Sequence, residues 1–429
     1  MSSEAPLFVI GAGPKAAAIA AKSKMLRECN IDTPRVYVLE NKEVAANWLG
    51  NHGFTNGLQR LGTPPEKDIG FPYRPDSQDI AVTRKLFARF SWSSYQIFAK
   101  KKFGDWIDRG KLHPTHEEWG QYVSWVLKHS ADEIVDGDLK KIDPADKHWT
   151  LELNDKKGTK RTFESSGIVF TGPGVRKVPN GLKLKGIRLE DHRRILFGDN
   201  FWNRLDVLHR ISREKEAPPI VVVGGGETAA SIVNTLLDNF ENTAVSILVL
   251  TRSGTLFSRG EGYYENRMFT DQSAWRGLPK EVRQEIIDRS DRGVISVAAS
   301  KRIAYAHNVD HRFMGVEKLA RGDGGDETLL INDSIRCQLL IFALGFDPFW
   351  FRDLFPPEIK SAFSTLRSCL DIQEKIGYDL SINHPTIKGK LYLPMVSALA
   401  QGPGFPNLSC LGDLSDRILC RHKEPEITI

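Results

Sequence analysis

The chain of 429 residues predicts an α/β fold built on two doubly wound parallel sheets. Three observations carry that prediction. First, an apolar run at 7–11 leads into Gly11-Ala-Gly13-Pro14-Lys-Ala16, then an Ala-rich helix through about residue 28 and a second strand at 35–40. Second, the same order returns much later: a strand at 220–223, then Gly224-Gly-Gly226-Glu227-Thr228-Ala229, a helix through about residue 237 and a strand at 245–250. Third, two further apolar strands end in glycine, 168–171 before Gly172 and 339–344 before Gly345. Strand, GxGxxA turn, helix and strand in that order describe a parallel sheet crossed by helices.

Each part of the chain then finds a place. Residues 1–211 form the first part of one Rossmann-like dinucleotide-binding domain, 212–340 form a second, and 341–429 complete the first. The first domain is therefore discontinuous, and its last part also carries a small substrate-binding region. Residues 212–219 (SREKEAPP), charged and ending in two prolines, read as the linker into the second domain. Residues 408–411 read as a last strand running into Gly412-Asp413.

Composition excludes several classes. The net charge of +5 is modest and the basic residues are spread along the chain, so nucleic acid is not an expected partner. No apolar run reaches membrane-spanning length, and the first residues lack the features of a secretory signal. Cys29, Cys337, Cys369, Cys410 and Cys420 are scattered with no CxxC spacing, which reads as a reducing, cytoplasmic setting. His113-Pro-Thr-His116 has metal-like spacing, but Pro114 breaks the helical face and no third ligand accompanies it, so no metal is expected. Trp92, Tyr95, Phe98, Phe103 and Trp106 form an aromatic stretch read as core or a docking face.

The two glycine loops differ in what they should hold. Gly11 permits the tight turn, Gly13 lets a pyrophosphate approach, Pro14 opens the helix and Ala16 keeps it close to the strand. Glu40, ending the next strand, can accept hydrogen bonds from ribose hydroxyls and would repel a 2′-phosphate, which suits FAD or NAD. In the second loop Gly224, Gly226, Glu227 and Thr228 repeat the pattern, but the following strand ends in Thr251-Arg252-Ser253. Arg252 can grip a 2′-phosphate in a fork and Ser253 can add a hydroxyl, so this loop should hold NADPH. The bland reading of Arg252 is a solvated surface arginine. Two loops of different preference imply hydride transfer from NADPH to FAD. The absence of paired cysteines disfavours a flavin disulfide reductase.

Longer strings add a resemblance. Ala46-Asn-Trp48, Arg60-Leu-Gly-Thr-Pro-Pro-Glu-Lys-Asp-Ile-Gly-Phe-Pro-Tyr73, Gly224-Gly-Gly-Glu-Thr-Ala-Ala230, Phe257-Ser-Arg-Gly-Glu-Gly262 and Gln401-Gly-Pro-Gly-Phe-Pro-Asn-Leu-Ser-Cys-Leu411 span nearly the whole chain. Together they resemble the flavin-dependent N-hydroxylating monooxygenases of ornithine and lysine, and in particular the mycobactin-type lysine N6-hydroxylases of actinobacteria. The resemblance implies FAD and NADPH as cofactors, O2 and an amine as substrates, and a C4a-hydroperoxyflavin that hydroxylates the terminal amine of L-lysine for siderophore or related metabolism. It also implies a homo-oligomer, a dimer or tetramer.

Residue by residue, the resemblance assigns the substrate carboxylate to Lys67, the α-amino end to Asn266, and places Ser415 near flavin and substrate. It adds Trp48, Gln59, Gly412, Asp413 and Leu414 to the FAD set, although Asp413 reads equally as a helix cap. No residue is singled out as a catalytic base. Two positions depart from the family pattern. A glutamine expected beside the flavin aligns with Gly62 unless Gln59 takes its place, and a second substrate asparagine would fall near Arg292 and Gly293. The competing readings are an N-hydroxylase of L-ornithine or of a diamine such as cadaverine, and a non-catalytic or uncoupled FAD/NADPH-binding protein. A Baeyer–Villiger or sulfoxidising enzyme would carry FxGxxxHxxxW/Y between the loops, and the chain has none.

Overall fold

A computed structural model describes residues 5–74, 80–190, 192–240, 243–322 and 328–419. Of the five cysteines, Cys420 lies outside the described residues. The chain opens with β1 (Leu7–Ile10), α1 (Pro14–Arg27) and β2 (Val36–Glu40). After a segment that carries helices at Ile80–Phe90, Trp92–Ser94, Tyr95–Lys100 and Phe103–Asp108, and after α2 (His116–Ser130), come β3 (Glu133–Asp136) and an antiparallel meander of β4 (Asp138–Ala145), β5 (His148–Asn154) and β6 (Lys160–Ser165), which leads to β7 (Gly167–Phe170). Then follow β8 (Ile195–Phe197), β9 (Ile220–Val223), α3 (Glu227–Phe240) and β10 (Ile247–Thr251). The chain continues through α4 (Tyr263–Thr270), α5 (Lys280–Ser290), α6 (Val297–Tyr305), β11 (Val309–Phe313) and β12 (Leu339–Phe342). It closes with β13 (Lys390–Tyr392) and α7 (Leu411–Ile418).

Two five-stranded sheets organise these elements. One has the order β13-β7-β1-β2-β3, the other β8-β12-β9-β10-β11, and every pairing in both is parallel. Each glycine loop leaves the middle strand of its sheet, where crossovers depart to opposite sides. Such switch points open a crevice at the carboxyl ends of the strands. The second sheet shows why its strands are apolar throughout. Val222, Val249 and Ile341 pack on one face, while Val221, Leu248 and Leu340 pack on the other. A sheet covered on both faces needs apolar side chains at every position. Helix α1 can be almost wholly buried because its alanines let it lie against both the sheet and the helices around it. Helix α2 starts at a full capping box, Thr115 with Glu118.

Three features differ from the sequence reading. Strand β8 precedes the 212–219 linker yet pairs with β12 in the second sheet, so that sheet draws chain from both sides of the linker. Residues 408–411 form no strand; Leu411 instead begins α7, and the closing strand of the first sheet is β13. The aromatic stretch divides: Trp92, Tyr95 and Trp106 are buried, while Phe98 is exposed. Among the described residues no helix is long and apolar enough to cross a membrane.

Candidate functional site

At the end of β1 lies a cleft of about 510 Å³, within the range of cofactor sites. Gly11, Gly13, Pro14, Glu40 and Trp48 line it, with Gly172–Gly174 and Pro406–Leu408 as opposing walls. Gly11 has φ +100°, and a Cβ there would stand 2.6 Å from the Thr171 hydroxyl, so only glycine fits. At Gly13 a Cβ would meet nothing within 4 Å, which leaves room for a ligand against the backbone. Gly13 is the N-cap of α1 and no side chain caps that helix end. The Glu40 carboxylate accepts from the backbone N–H groups of Ala12 (2.9 Å), Asn41 (3.0 Å) and Lys42 (2.9 Å). These bonds fix it beside the turn. Ala16 is buried behind the turn, as helix-to-strand packing requires. The whole arrangement can cradle a diphosphate on uncapped helix N–H groups, with a carboxylate at ribose distance along the sheet.

Lys15 is the residue that sequence reasoning missed. It lies inside the glycine motif, is 6 % exposed, and donates to the carbonyls of Pro406 (2.8 Å) and Asn407 (3.2 Å) across the cleft. Burial pushes its ammonium down to about 8. The signal was available: a lysine between Pro14 and Ala16, in a helix start that is otherwise small and apolar, must either reach solvent or find carbonyls.

Other predicted residues take different places. Gln59 does not line the cleft; its Oε1 accepts from Thr55 (3.2 Å), and its Nε2 is buried without a partner. Gly412, Asp413, Leu414 and Ser415 all sit in α7 and not in the cleft wall. Gly412 donates its N–H to the Phe71 carbonyl (2.7 Å), Leu414 is core, and Ser415 is fully buried with its hydroxyl on the Gly412 carbonyl (2.8 Å). Asp413 is not the cap of α7, since Cys410 holds that position; its carboxylate is gripped in a fork by Arg74 (3.0 and 2.8 Å). His116 packs edge-on to Trp48 at 5.1 Å and bonds Thr55, and burial pushes its imidazole down to about 4.

The second glycine loop is tighter. Gly224 has φ +142°, and a Cβ there would lie 2.4 Å from the Ala343 carbonyl at the end of β12. Glu227 accepts from the Ser296 N–H (2.7 Å) and hydroxyl (2.9 Å), so it ties the loop to the start of α6. Thr228 packs against Gly198, and Gly226 faces Gly293. Arg252 is exposed at the end of β10, its stem beside Gly315, and no protein acceptor holds its guanidinium among the described residues. Ser253 donates to the Thr251 hydroxyl (3.3 Å), which also bonds His311 (2.8 Å).

Lys67 lies in the loop between the first sheet and α2. Its ammonium sits 5.7 Å from the Phe71 ring centre and has no carboxylate partner among the described residues. Neither neighbour supplies one. Asp68 is buried and committed to Tyr73, Gly70 and Trp92, while Glu66 faces Lys111 at 3.9 Å. Burial holds the Lys67 ammonium below its ordinary value; Cys410 opposes that and the Arg259 guanidinium adds to it. Asn266 is exposed on α4 and donates to the carbonyls of Glu261 (2.8 Å) and Gly262 (3.1 Å).

Comparison with known proteins agrees with this geometry. The family model described as L-lysine 6-monooxygenase/L-ornithine 5-monooxygenase matches residues 76–311. The L-lysine N6-monooxygenase MbtG of Mycolicibacterium paratuberculosis is 38% identical over 428 residues, covering 96% of this chain and 94% of that protein. The solved structure of lysine monooxygenase NbtG from Nocardia farcinica is 34% identical, with a TM-score of 0.78, covering 98% of this chain and 100% of that one. The ornithine N-hydroxylase KtzI of Kutzneria sp. 744 shares the fold, with a TM-score of 0.71 at 16% identity over 97% of this chain and 98% of that one. The chain belongs to the L-lysine 6-monooxygenase/L-ornithine 5-monooxygenase family.

Proposed function

We propose that this protein is an FAD- and NADPH-dependent monooxygenase that hydroxylates the terminal amine of L-lysine to N6-hydroxylysine. The observation that carries the substrate assignment is Lys67: a half-buried cation with no carboxylate partner among the described residues. Near-full-length likeness to proteins named as lysine N6-monooxygenases supports the same substrate.

The residues present fit both cofactors. Open space at Gly13, the uncapped start of α1 and the anchored Glu40 suit the diphosphate and ribose of FAD. Arg252, with no protein acceptor, suits the 2′-phosphate of NADPH, with Gly224, Gly226 and Ser253 around the rest. When bound, the flavin reduced by NADPH supplies the O2 chemistry; the protein binds, orients and excludes water.

Lysine brings a carboxylate, an α-ammonium and a terminal ammonium. Lys67 pairs with the carboxylate, and the side-chain amide of Asn266 can serve the α-amino end. The terminal ammonium, with a reference pKa of ~10.4, must lose a proton before it can act as a nucleophile. Enclosure of the terminal amine away from water favours that loss, since burial penalises the charged form.

The test is direct. Purified protein with a flavin spectrum is assayed for hydroxylamine with L-lysine, L-ornithine and cadaverine under NADPH. L-lysine should couple best. Hydrogen peroxide release regardless of amine, with no hydroxylamine, refutes the proposal.

A further inference from the structure

Arg259 belongs to the short strand Phe257–Ser258-Arg259 region of the second glycine domain, yet its side chain reaches the Lys67 loop of the first. Its backbone N–H is fixed to the Ile295 carbonyl at 2.8 Å, where Phe257–Ser258 pairs with Val294–Ile295. From that anchor the guanidinium comes to lie over Gly62: a Cβ built on Gly62 would meet nothing but Arg259 Nη2, at 3.7 Å. The missing side chain at position 62 is what leaves room for it.

The guanidinium is under-used where it lies. Among the described residues its one ion pair is with Glu261, at 3.6 Å, too long for a hydrogen bond. The same Glu261 oxygen already accepts the Val297 N–H at 3.2 Å. Lys67, the neighbouring cation, has no carboxylate either. The Arg259 guanidinium lies close enough to Lys67 to repel it, and the long contact to Glu261 and the Phe71 ring offset this only in part. An anion between them would relieve the repulsion.

We propose that Arg259, admitted by Gly62, is a second carboxylate-binding residue that acts with Lys67 to select an amino acid over a diamine. This rests on the lysine reading above. A planar fork suits a carboxylate in two parallel hydrogen bonds, while the lysine contributes a point charge. An α-amino acid gains from both cations. A diamine of the same length meets only repulsion.

The experiment measures steady-state hydroxylamine formation with L-lysine, inhibition or turnover by cadaverine, and the NADPH concentration dependence of flavin reduction without amine. Arg259→Gln should raise the KM for lysine by roughly 10- to 100-fold, the worth of one charge-assisted hydrogen bond. The cadaverine constant should hold or tighten, and the NADPH dependence should stay. Arg259→Lys keeps the charge but not the fork, so it should recover part of the loss, which a purely structural defect would not allow. Gly62→Leu, which fills the space the guanidinium occupies, should copy Arg259→Gln, whereas Gly62→Ala should not. If the parent protein hydroxylates lysine but Arg259→Gln leaves its KM in place, weakens cadaverine equally, or shifts NADPH instead, the second-cation proposal alone is overturned. If the parent protein neither hydroxylates nor binds lysine, the substrate reading falls and this proposal with it.

Discussion

Replacing Asp68 by asparagine separates the charge of this side chain from its shape. The carboxyl is 2 % exposed and accepts from Tyr73 Oη (2.7 Å) and the Gly70 N–H (3.1 Å) on one oxygen, and from the Trp92 N–H (2.7 Å) on the other. Burial pushes its pKa up to about 7, and the three donors only partly oppose that shift. A carboxyl with a raised folded pKa binds its proton more tightly in the fold. It therefore contributes stability that is full below about 3.8 and lost as pH rises through about 7. From pH 5 to 8 the loss covers about two units, on the order of 2.7 kcal/mol at about 1.36 kcal/mol per unit. The amide cannot titrate, so Asp68→Asn should remove this slope. It also has one acceptor for donors on two sides, and the Trp92 N–H then faces an NH2 group, a cost of about 1–3 kcal/mol at every pH. A chain of this size changes by roughly 0.9 kcal/mol per degree near its Tm, so the pH-dependent part is worth about 3 °C. Thermal unfolding of both proteins at pH 5, 6.5 and 8 reads it out. The parent should lose about 3 °C relative to the variant between pH 5 and 8. A difference in Tm that stays constant across that range would refute the assignment of Asp68 as a protonated anchor of the Lys67 loop.

Three further changes test the two loops and the tie between the cleft walls. Arg252→Ala should raise the KM for NADPH by roughly 10- to 100-fold and leave that for NADH nearly in place, measured by flavin reduction. Gly224→Ala puts a methyl 2.4 Å from the Ala343 carbonyl at a φ of +142°, and should cost about 2–4 kcal/mol by thermal or denaturant unfolding while FAD remains bound. Lys15→Met leaves the Pro406 and Asn407 carbonyls without their donor, so FAD should dissociate roughly tenfold more readily, followed by flavin fluorescence on release.

The fold was legible wherever local chemistry dictated it. Both glycine loops, the helices after them and the apolar strands before them were visible because close backbone approach admits so few residues: Gly11 and Gly224 could not be replaced without a clash. The strands missed include β3 and β11 at the sheet edges, the meander β4–β6, and β8 and β13; the last two, three residues each, owe their place to pairing with β12 and β7 and not to any pattern of their own. Residues 408–411 looked like a strand because they are apolar, but the last of them is the start of a buried amphipathic helix; a run of four cannot distinguish the two. At the site, Glu40 and Arg252 could be read from their place at strand ends. Lys15 could be flagged as a lysine in an apolar helix start, but its partners could not be named, because they are the carbonyls of Pro406 and Asn407, far along the chain. Nor could the meeting of Gly62 with Arg259, which only the juxtaposition of the two sheet regions creates.

What sets the substrate side apart is which charges the protein has already used. The carboxylates there are spoken for: Asp68 holds Tyr73 and Trp92, Asp413 holds Arg74, Asp416 holds Lys22 at 2.8 Å, and Glu227 holds Ser296. The cations are not. Among the described residues Lys67 has no carboxylate, Arg252 has no protein acceptor, and Arg259 has one carboxylate beyond hydrogen-bond reach. The net charge of +5 does not reveal this imbalance, because it does not say which charges are paired. A folded protein does not leave several partly buried cations unmatched without cost, because each forgoes hydration that an anion would replace. A 2′-phosphate at Arg252 and an amino-acid carboxylate between Lys67 and Arg259 would supply the missing charge at two separate points. The two anions are also the features that distinguish NADPH from NADH and lysine from cadaverine. On the two proposals above, selectivity for cofactor and for substrate would have one physical origin, cations that the fold leaves for a ligand to neutralise.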